Sequence, residues 1–315
     1  MCIKKFIIYL FYYQKIVMFK ILTPLWTWFD VKELINFWAK EFYFWLDFLS
    51  FLNKRDNKKA QIWLDEAKTM LSFKKKYPDI KFYIALNEAP VWVSYDLVYN
   101  SLKNLLDNIS PDAFIVRDFL VIDTLVKLKP DIKLHISSLE QVWNKSWLDF
   151  FIDKLWSNLE KFIFPRDITS IEAYDIIKKY PNLEFEVFAF NEWCWNVDGL
   201  CSSLHWSWKE IWIPFICNRE YAYDWWESIK KIILNRTSCK VCAFWNLKNL
   251  PNIISLKIVW RWAEYEQIKR NTIFLKSVVD FLELSDTQWE YKTFCQVALH
   301  KKNNADWCKH CEFNN

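Results

Sequence analysis

One piece of punctuation recurs along the chain: YPDIKFYIALN (77–87), SPDAFIVRD (110–118), KPDIKLHIS (129–137) and YPNLEFEVFAF (180–190). In each, a stretch with helical spacing stops at a proline, turns on Asp or Asn, and enters a short run rich in β-branched and aromatic residues. Between these runs lie segments such as SYDLVYNSLKNLLDNI and SIEAYDIIKKY, whose apolar residues recur at intervals of three and four. The pattern predicts strands alternating with amphipathic helices. FKILTP (19–24), EFYFW (41–45), KFIFPRD (161–167) and SLKIV (255–259) complete a set of eight candidate strands.

Eight alternating units predict a (β/α)8 barrel of the TIM type, with a doubly wound open sheet as the alternative. A chain of 315 residues suffices for one such barrel, and no linker rich in Pro, Gly or Ser divides it. The expected organisation is an N-terminal extension over 1–17, one barrel over 18–284 and a short Cys-rich tail over 285–315. The extension, MCIKKFIIYLFYYQKIV, imitates a signal peptide but lacks a small-residue cleavage site. Met18 directly precedes the first strand and is expected to be the natural start. No later apolar run reaches the roughly 18 residues of a spanning helix, so no membrane partner is expected.

Composition changes the picture in one respect. A chain of this length ordinarily carries roughly 22 glycines; this one has 1 glycine, Gly199, and 21 tryptophans. Tryptophan stands where turns are expected, as in PLWTWFD, NEWCWNVDG, LHWSWKE and DWWES, and in KIVWRW a pair of indoles brackets Arg261 where a strand must turn into a helix. Tight turns of this kind call for positive φ, which glycine tolerates and a bulky aromatic does not. The abundance of Lys, Ile, Asn and Phe suits an AT-rich gene. We read the sequence as the product of a gene in which UGA specifies glycine, rendered with UGA as tryptophan.

The net charge is +4, with Lys and Asp/Glu interspersed along the chain, which describes a solvated surface rather than a basic nucleic-acid face. Eight of the nine cysteines fall after residue 193, which suggests metal in a reducing, cytoplasmic compartment rather than a disulfide scaffold. Two groups of four are expected. Cys194, Cys201, Cys217 and Cys242 suit an iron–sulfur cluster, which takes thiolate ligands. Zinc is the rival metal, because Cys239-x2-Cys242 and Cys308-x2-Cys311 have the paired spacing of a structural zinc site, and Cys239, Cys295, Cys308 and Cys311 form a second candidate group. His135 and His205 offer no more than a weak case for a cysteine–histidine dyad.

In a barrel, chemistry sits at the C-terminal ends of the strands. Those ends read Pro24, Asn87, Arg117–Asp118, Ser137, Arg166–Asp167, Asn191–Glu192 and Arg261. Helix capping and surface pairing account for about half of such a set.

With Trp read as glycine, LTPLWTWFDVKELINFWAKEFYFWLD, HISSLEQVWN (135–144), FIFPRDITSIE (162–172), EVFAF…CWNVDGLCSS and CAFWNLKNL…SLKIVWR follow, in order, the motifs of the peptidase U32 family, also called collagenase-like proteases. The resemblance runs from about residue 19 to 283. Val259 departs from the family's glutamate, and Asn191 stands near its usual histidine. The resemblance implies a barrel in which Cys194, Cys201, Cys217 and Cys242 hold a [4Fe–4S] cluster. It implies Arg117, Asp118, Asn144, Arg166, Lys257 and Arg261 as mouth residues that place an anionic substrate or donor, a task suited to bidentate arginine. Members of this family act in oxygen-independent hydroxylation of RNA bases or of the ubiquinone ring, and older members are described as peptidases. The expected function is an iron–sulfur hydroxylase-type enzyme acting on RNA or a small aromatic substrate. The alternatives are a peptidase and a zinc-stabilised non-catalytic subunit that works beside a U32 homologue as its partner.

Overall fold

The computed structural model describes residues 19–25, 31–53, 61–90, 93–140, 144–155, 157–166, 168–190, 221–224, 227–229, 240–259 and 265–301. All eight predicted strands form. They are β1 (Phe19–Pro24), β2 (Ala39–Leu46), β3 (Lys81–Leu86), β4 (Ala113–Val116), β5 (Leu134–Ile136), β6 (Leu159–Ile163), β7 (Glu184–Phe190) and β8 (Ile254–Ile258). Each pairs in parallel with its neighbours, and β1 pairs with both β8 and β2, which closes the ring. The architecture is the (β/α)8 barrel, and the open-sheet alternative falls. A two-residue strand, Gln61–Ile62, extends the sheet beside β2, and Tyr221–Asp224 pairs antiparallel with Glu227–Ile229 in a separate two-stranded sheet.

Six helices alternate with the barrel strands: α1 (Val31–Asn36), α2 (Leu64–Ser72), α3 (Tyr95–Asn108), α4 (Phe119–Leu128), α5 (Lys145–Leu155) and α6 (Ser170–Ile177). After β8 come α7 (Tyr265–Leu284) and α8 (Gln288–Lys301). Their boundaries follow local chemistry. Ser94 opens α3 by accepting a hydrogen bond from the Leu97 amide, and Val98, Leu102 and Leu105 then share the buried face. Thr169 and Glu172 form a reciprocal capping box at the start of α6. The tail expected over 285–315 is helical as far as Lys301.

Apolar side chains fill the space between barrel and helices, including Phe42, Phe44, Phe82, Phe114, Phe162 and Phe185 from the outward faces of the strands. A second, smaller cluster fills the upper interior of the barrel, among it Leu22, Tyr43, Trp45, Ile115, Ile163 and Phe188. Asparagines lock the lower loops. Asn158 donates to the Pro130 and Ile132 carbonyls ahead of β5, and Asn252 donates to those of Tyr180 and Leu183 ahead of β7.

The tryptophan reading meets the backbone at Trp38. This residue turns α1 into β2 with φ 73°, the one positive φ outside glycine among the described residues. Elsewhere the demand for glycine is absent from the described backbone: Trp63 caps α2 in an extended conformation, Trp147 and Trp289 lie in the first turns of helices, and Trp45 is buried in β2. Trp260, at the turn after β8, lies outside the described residues.

Candidate active site

The lower half of the barrel is sealed by charge. Lys161 on β6 reaches across to both carboxylate oxygens of Glu41 on β2, at 2.9 and 2.8 Å, and donates to the Ser255 hydroxyl at 2.7 Å. Tyr83 donates to Glu41 Oε1 at 2.8 Å, and Lys20 and Glu184 lie at 3.6 Å on the rim of the cluster. Burial alone would raise the Glu41 carboxyl. The charges of Lys161 and Lys20, with hydrogen bonds from Lys161 and Ser255, outweigh it and bring the pKa down to about 2. Burial and the Glu41 charge push the Tyr83 phenol far up, so it stays a neutral donor.

The pairing register slips by one residue between Leu134 and His135, so that Leu134 faces Leu159 while His135 faces Lys161. Glu160 is the extra residue, and such a bulge re-aims side chains. Here Glu160 meets His135 Nε2 at 2.9 Å while Lys161 still points at Glu41. His135 is fully buried with its ring edge-on to Tyr83, at 4.4 Å between centroids. Burial lowers its pKa despite the Glu160 hydrogen bond. Enclosed in this way, His135 has no route to an external substrate, which removes it as a catalytic base.

Above this plug lies the mouth. Lys257 on β8 donates to Glu186 Oε1 on β7 at 2.6 Å, and its ammonium sits 4.3 Å from the Tyr43 ring centroid. The Tyr43 hydroxyl is tied to the Ile258 carbonyl at 3.1 Å. The Arg166 guanidinium, just past β6, lies 4.7 Å from the Phe188 ring, and Lys257 lies 5.7 Å from the same ring. Two of the expected mouth cations therefore converge on one aromatic wall.

The other expected mouth residues are used differently. Arg117 is flanked by Glu88 at 3.6 Å and Glu140 at 3.4 Å, from the ends of neighbouring strands. Burial raises the Glu140 carboxyl, with Asp118 adding to the rise and Arg117 opposing it. Asp118 caps α4 by accepting from the Leu120 amide, and exposed Asn144 accepts from the Trp147 amide at the start of α5. Arg261 lies outside the described residues.

Of the expected metal ligands, Cys242 and Cys295 are described, and both are buried. Cys194, Cys201, Cys217, Cys239, Cys308 and Cys311 lie outside the described residues. Cys242 is the second residue of a 3-10 helical segment, Val241–Leu247, whose N-cap residue Lys240 donates its amide to the Ala189 carbonyl near the end of β7. A small apolar pocket lies between this segment and the start of α6, lined by residues that include Ile168, Ala173, Phe188, Ala243 and Leu247. Cys295 lies on α8, where Tyr291, one turn earlier, donates to the Val241 carbonyl at 2.6 Å. Among the described residues, no three His, Cys, Asp or Glu side chains are close enough to hold a metal ion. None of the helices among them is long and apolar enough to cross a membrane.

A closed parallel barrel with cations gathered on an aromatic wall at its upper end is the architecture of many enzymes and by itself names none of them. The sequence profile of Peptidase family U32 matches residues 26–311, and the chain belongs to that family. Among curated proteins it is similar to "tRNA hydroxylation protein P" of Helicobacter pylori, 27% identical over 121 residues that make up 38% of this chain and 28% of the relative. The protein of the same name from Escherichia coli is 26% identical over 121 residues, 38% of this chain and 26% of the relative. The chain thus spans about a quarter of the length of these relatives. Among solved structures, a GH53 catalytic domain from Ignisphaera aggregans superposes with a TM-score of 0.37 at 15% identity, covering 75% of this chain and 80% of that one.

Proposed function

We propose that this U32 protein is an iron–sulfur enzyme of RNA modification that takes part in hydroxylating a base of tRNA in the reducing cytoplasm. The observation that carries the reading is the set of relatives named for tRNA hydroxylation. Cys194, Cys201, Cys217 and Cys242 would hold a [4Fe–4S] cluster. The donor set fits such a group: four thiolates, one on a segment bonded to the end of β7 and one four residues beyond Phe190 in the chain leaving that strand. The cluster supplies one-electron transfer when bound. The chain's own residues supply the rest of the site. Arg166 and Lys257 attract an anionic group and orient it against Phe188, Tyr43 walls the mouth, and the sealed Glu41–Lys161 layer keeps water from entering from below.

The test is a mass-spectrometric survey of tRNA nucleosides from cells lacking the gene, with iron and zinc assays on protein purified without air. Loss of one hydroxylated nucleoside, restored by the wild-type gene and not by Cys242→Ser, is the expected result. Unchanged tRNA, together with peptide hydrolysis that survives Cys242→Ser, would establish the peptidase reading instead.

A further inference from the structure

Two buried ion pairs are stacked inside the barrel, and they differ in how they are finished. In the deeper pair, both oxygens of Glu41 are bonded, and Ser255 and Tyr83 complete the set. In the upper pair, Glu186 is fully buried, yet only Oε1 is used. Among the described residues Glu186 Oε2 has no hydrogen-bond partner. Lys257, its partner, keeps 8% exposure. An enclosed carboxylate oxygen left without a donor is unfavourable, so an ion pair that served only to hold the barrel together would be expected to close as the lower one does.

We propose that Glu186 is a positioning residue for the mouth: it fixes the Lys257 ammonium between the Tyr43 and Phe188 rings, keeps it charged, and so presents it as the cation that meets the substrate. This rests on the mouth being the substrate site, as in the function proposed above. Among the described residues, the ammonium meets Glu186 at 2.6 Å, the Tyr43 ring at 4.3 Å and the Phe188 ring at 5.7 Å. Tyr43 is itself fixed by its bond to Ile258, the residue next to Lys257. Among the described residues, the charged and titratable groups near the pair include Arg166 on the mouth side and, below, Lys161 with its partner Glu41 and His135. Lys161 also feels the Glu186 charge, so Glu186 lies within the influence of two ammonium groups.

The test begins without an activity assay. The intact protein is treated with acetic anhydride over a range of pH, and acetylation of Lys257 is followed by peptide mass spectrometry. Removing a close opposite charge lowers an amine pKa by about 1–3 units. In Glu186→Gln the midpoint for Lys257 acetylation is therefore expected to fall by that much, while exposed Lys127 and Lys145 are unmoved. Glu186→Asp, which keeps the charge but draws it back, should shift the midpoint less, and it carries the test if the Gln variant does not fold. An unchanged Lys257 midpoint in these variants overturns the proposal. Activity is read second, as hydroxylated nucleoside formed on tRNA. Glu186→Gln should lower kcat and displace the pH profile, with partial rescue in Glu186→Asp. A shifted acetylation midpoint with normal tRNA hydroxylation in Glu186→Gln also overturns the positioning role. A wild-type protein that does not act on tRNA overturns the function proposed above, and leaves the acetylation result to decide the geometry of Lys257 independently.

Discussion

Lys161 and Glu41 face each other across the barrel with neither side chain exposed, and the lysine holds both carboxylate oxygens. Breaking such a pair strands a charge in the interior. Lys161→Met should destabilise the fold by about 3–5 kcal/mol, and Glu41→Gln combined with it should lose less than the sum of the single changes. Urea denaturation of the three variants measures this coupling. The pair also sets an acid limit. The Glu41 pKa falls from 4.5 unfolded to about 2 folded, so its contribution is complete above 4.5 and disappears as pH falls from 4.5 towards 2.

His135 gives a separate and earlier acid step. Burial dominates and lowers its pKa below 6.5, so below that value the unfolded chain binds a proton that the folded chain resists. Its stability contribution is present above 6.5 and declines as pH falls through it. His135→Gln keeps a donor for Glu160 and removes the titration. The denaturation midpoint of the variant should change less than that of the wild type between about pH 7.5 and about pH 5.

The mouth residues divide into caps and contacts. Asp118→Ala and Asn144→Ala each remove an acceptor from a helix N-terminus, and each should lower stability by about 1 kcal/mol with little change in tRNA hydroxylation per folded molecule. Under the function proposed above, Arg166→Ala should do the reverse, reducing tRNA hydroxylation at least about tenfold, equivalent to about 1.4 kcal/mol. Thermal melts beside nucleoside assays separate the two classes.

Tryptophan replacements should go in opposite directions at two sites. At Trp38 a non-glycine residue holds φ 73°, a conformation that costs roughly 1–2 kcal/mol. The indole recovers part of that through Lys276, 4.1 Å from its ring. Trp38→Gly should therefore raise Tm slightly or leave it unchanged. Trp45 is 2% exposed inside the barrel, and Trp45→Gly should lose about 3–5 kcal/mol by opening a cavity. Mass spectrometry of the native protein decides which residue each codon specifies, and glycine at position 38 is the expected result.

The strands were legible because parallel strands covered on both faces need continuous apolar runs, and each proline-led turn marked where such a run began. The plug inside the barrel was not read, although its signal was there. Glu41, Lys161, Glu186 and Lys257 are charged residues embedded in the runs EFYFW, KFIF, EFEVFAF and SLKIV, and a charge inside a two-sided strand has to find a partner across the interior. Which charges pair depends on register. The slip that turns Glu160 towards His135 is a property of two strands together, and no single segment records it. The capping role of Asp118 was local, in a strand-end set of which about half was expected to be capping and surface pairing, whereas Asn144 entered only through the family motifs. The convergence of Arg166 and Lys257 on Phe188 joined three distant strands, and the ordered family motifs singled out its two cations while leaving the aromatic wall unread.

The pairing of Phe19 with Ile254 has a consequence for how the molecule is made. On the ribosome, β1 emerges first and then waits while more than two thirds of the polypeptide is synthesised before its second neighbour exists. Until Ile258 has left the exit tunnel, the nascent sheet is an open arc with two unpaired rims and an unsealed charged interior. Chains halted short of that residue should remain bound to chaperones, whereas release should follow promptly once the last barrel strand clears the tunnel.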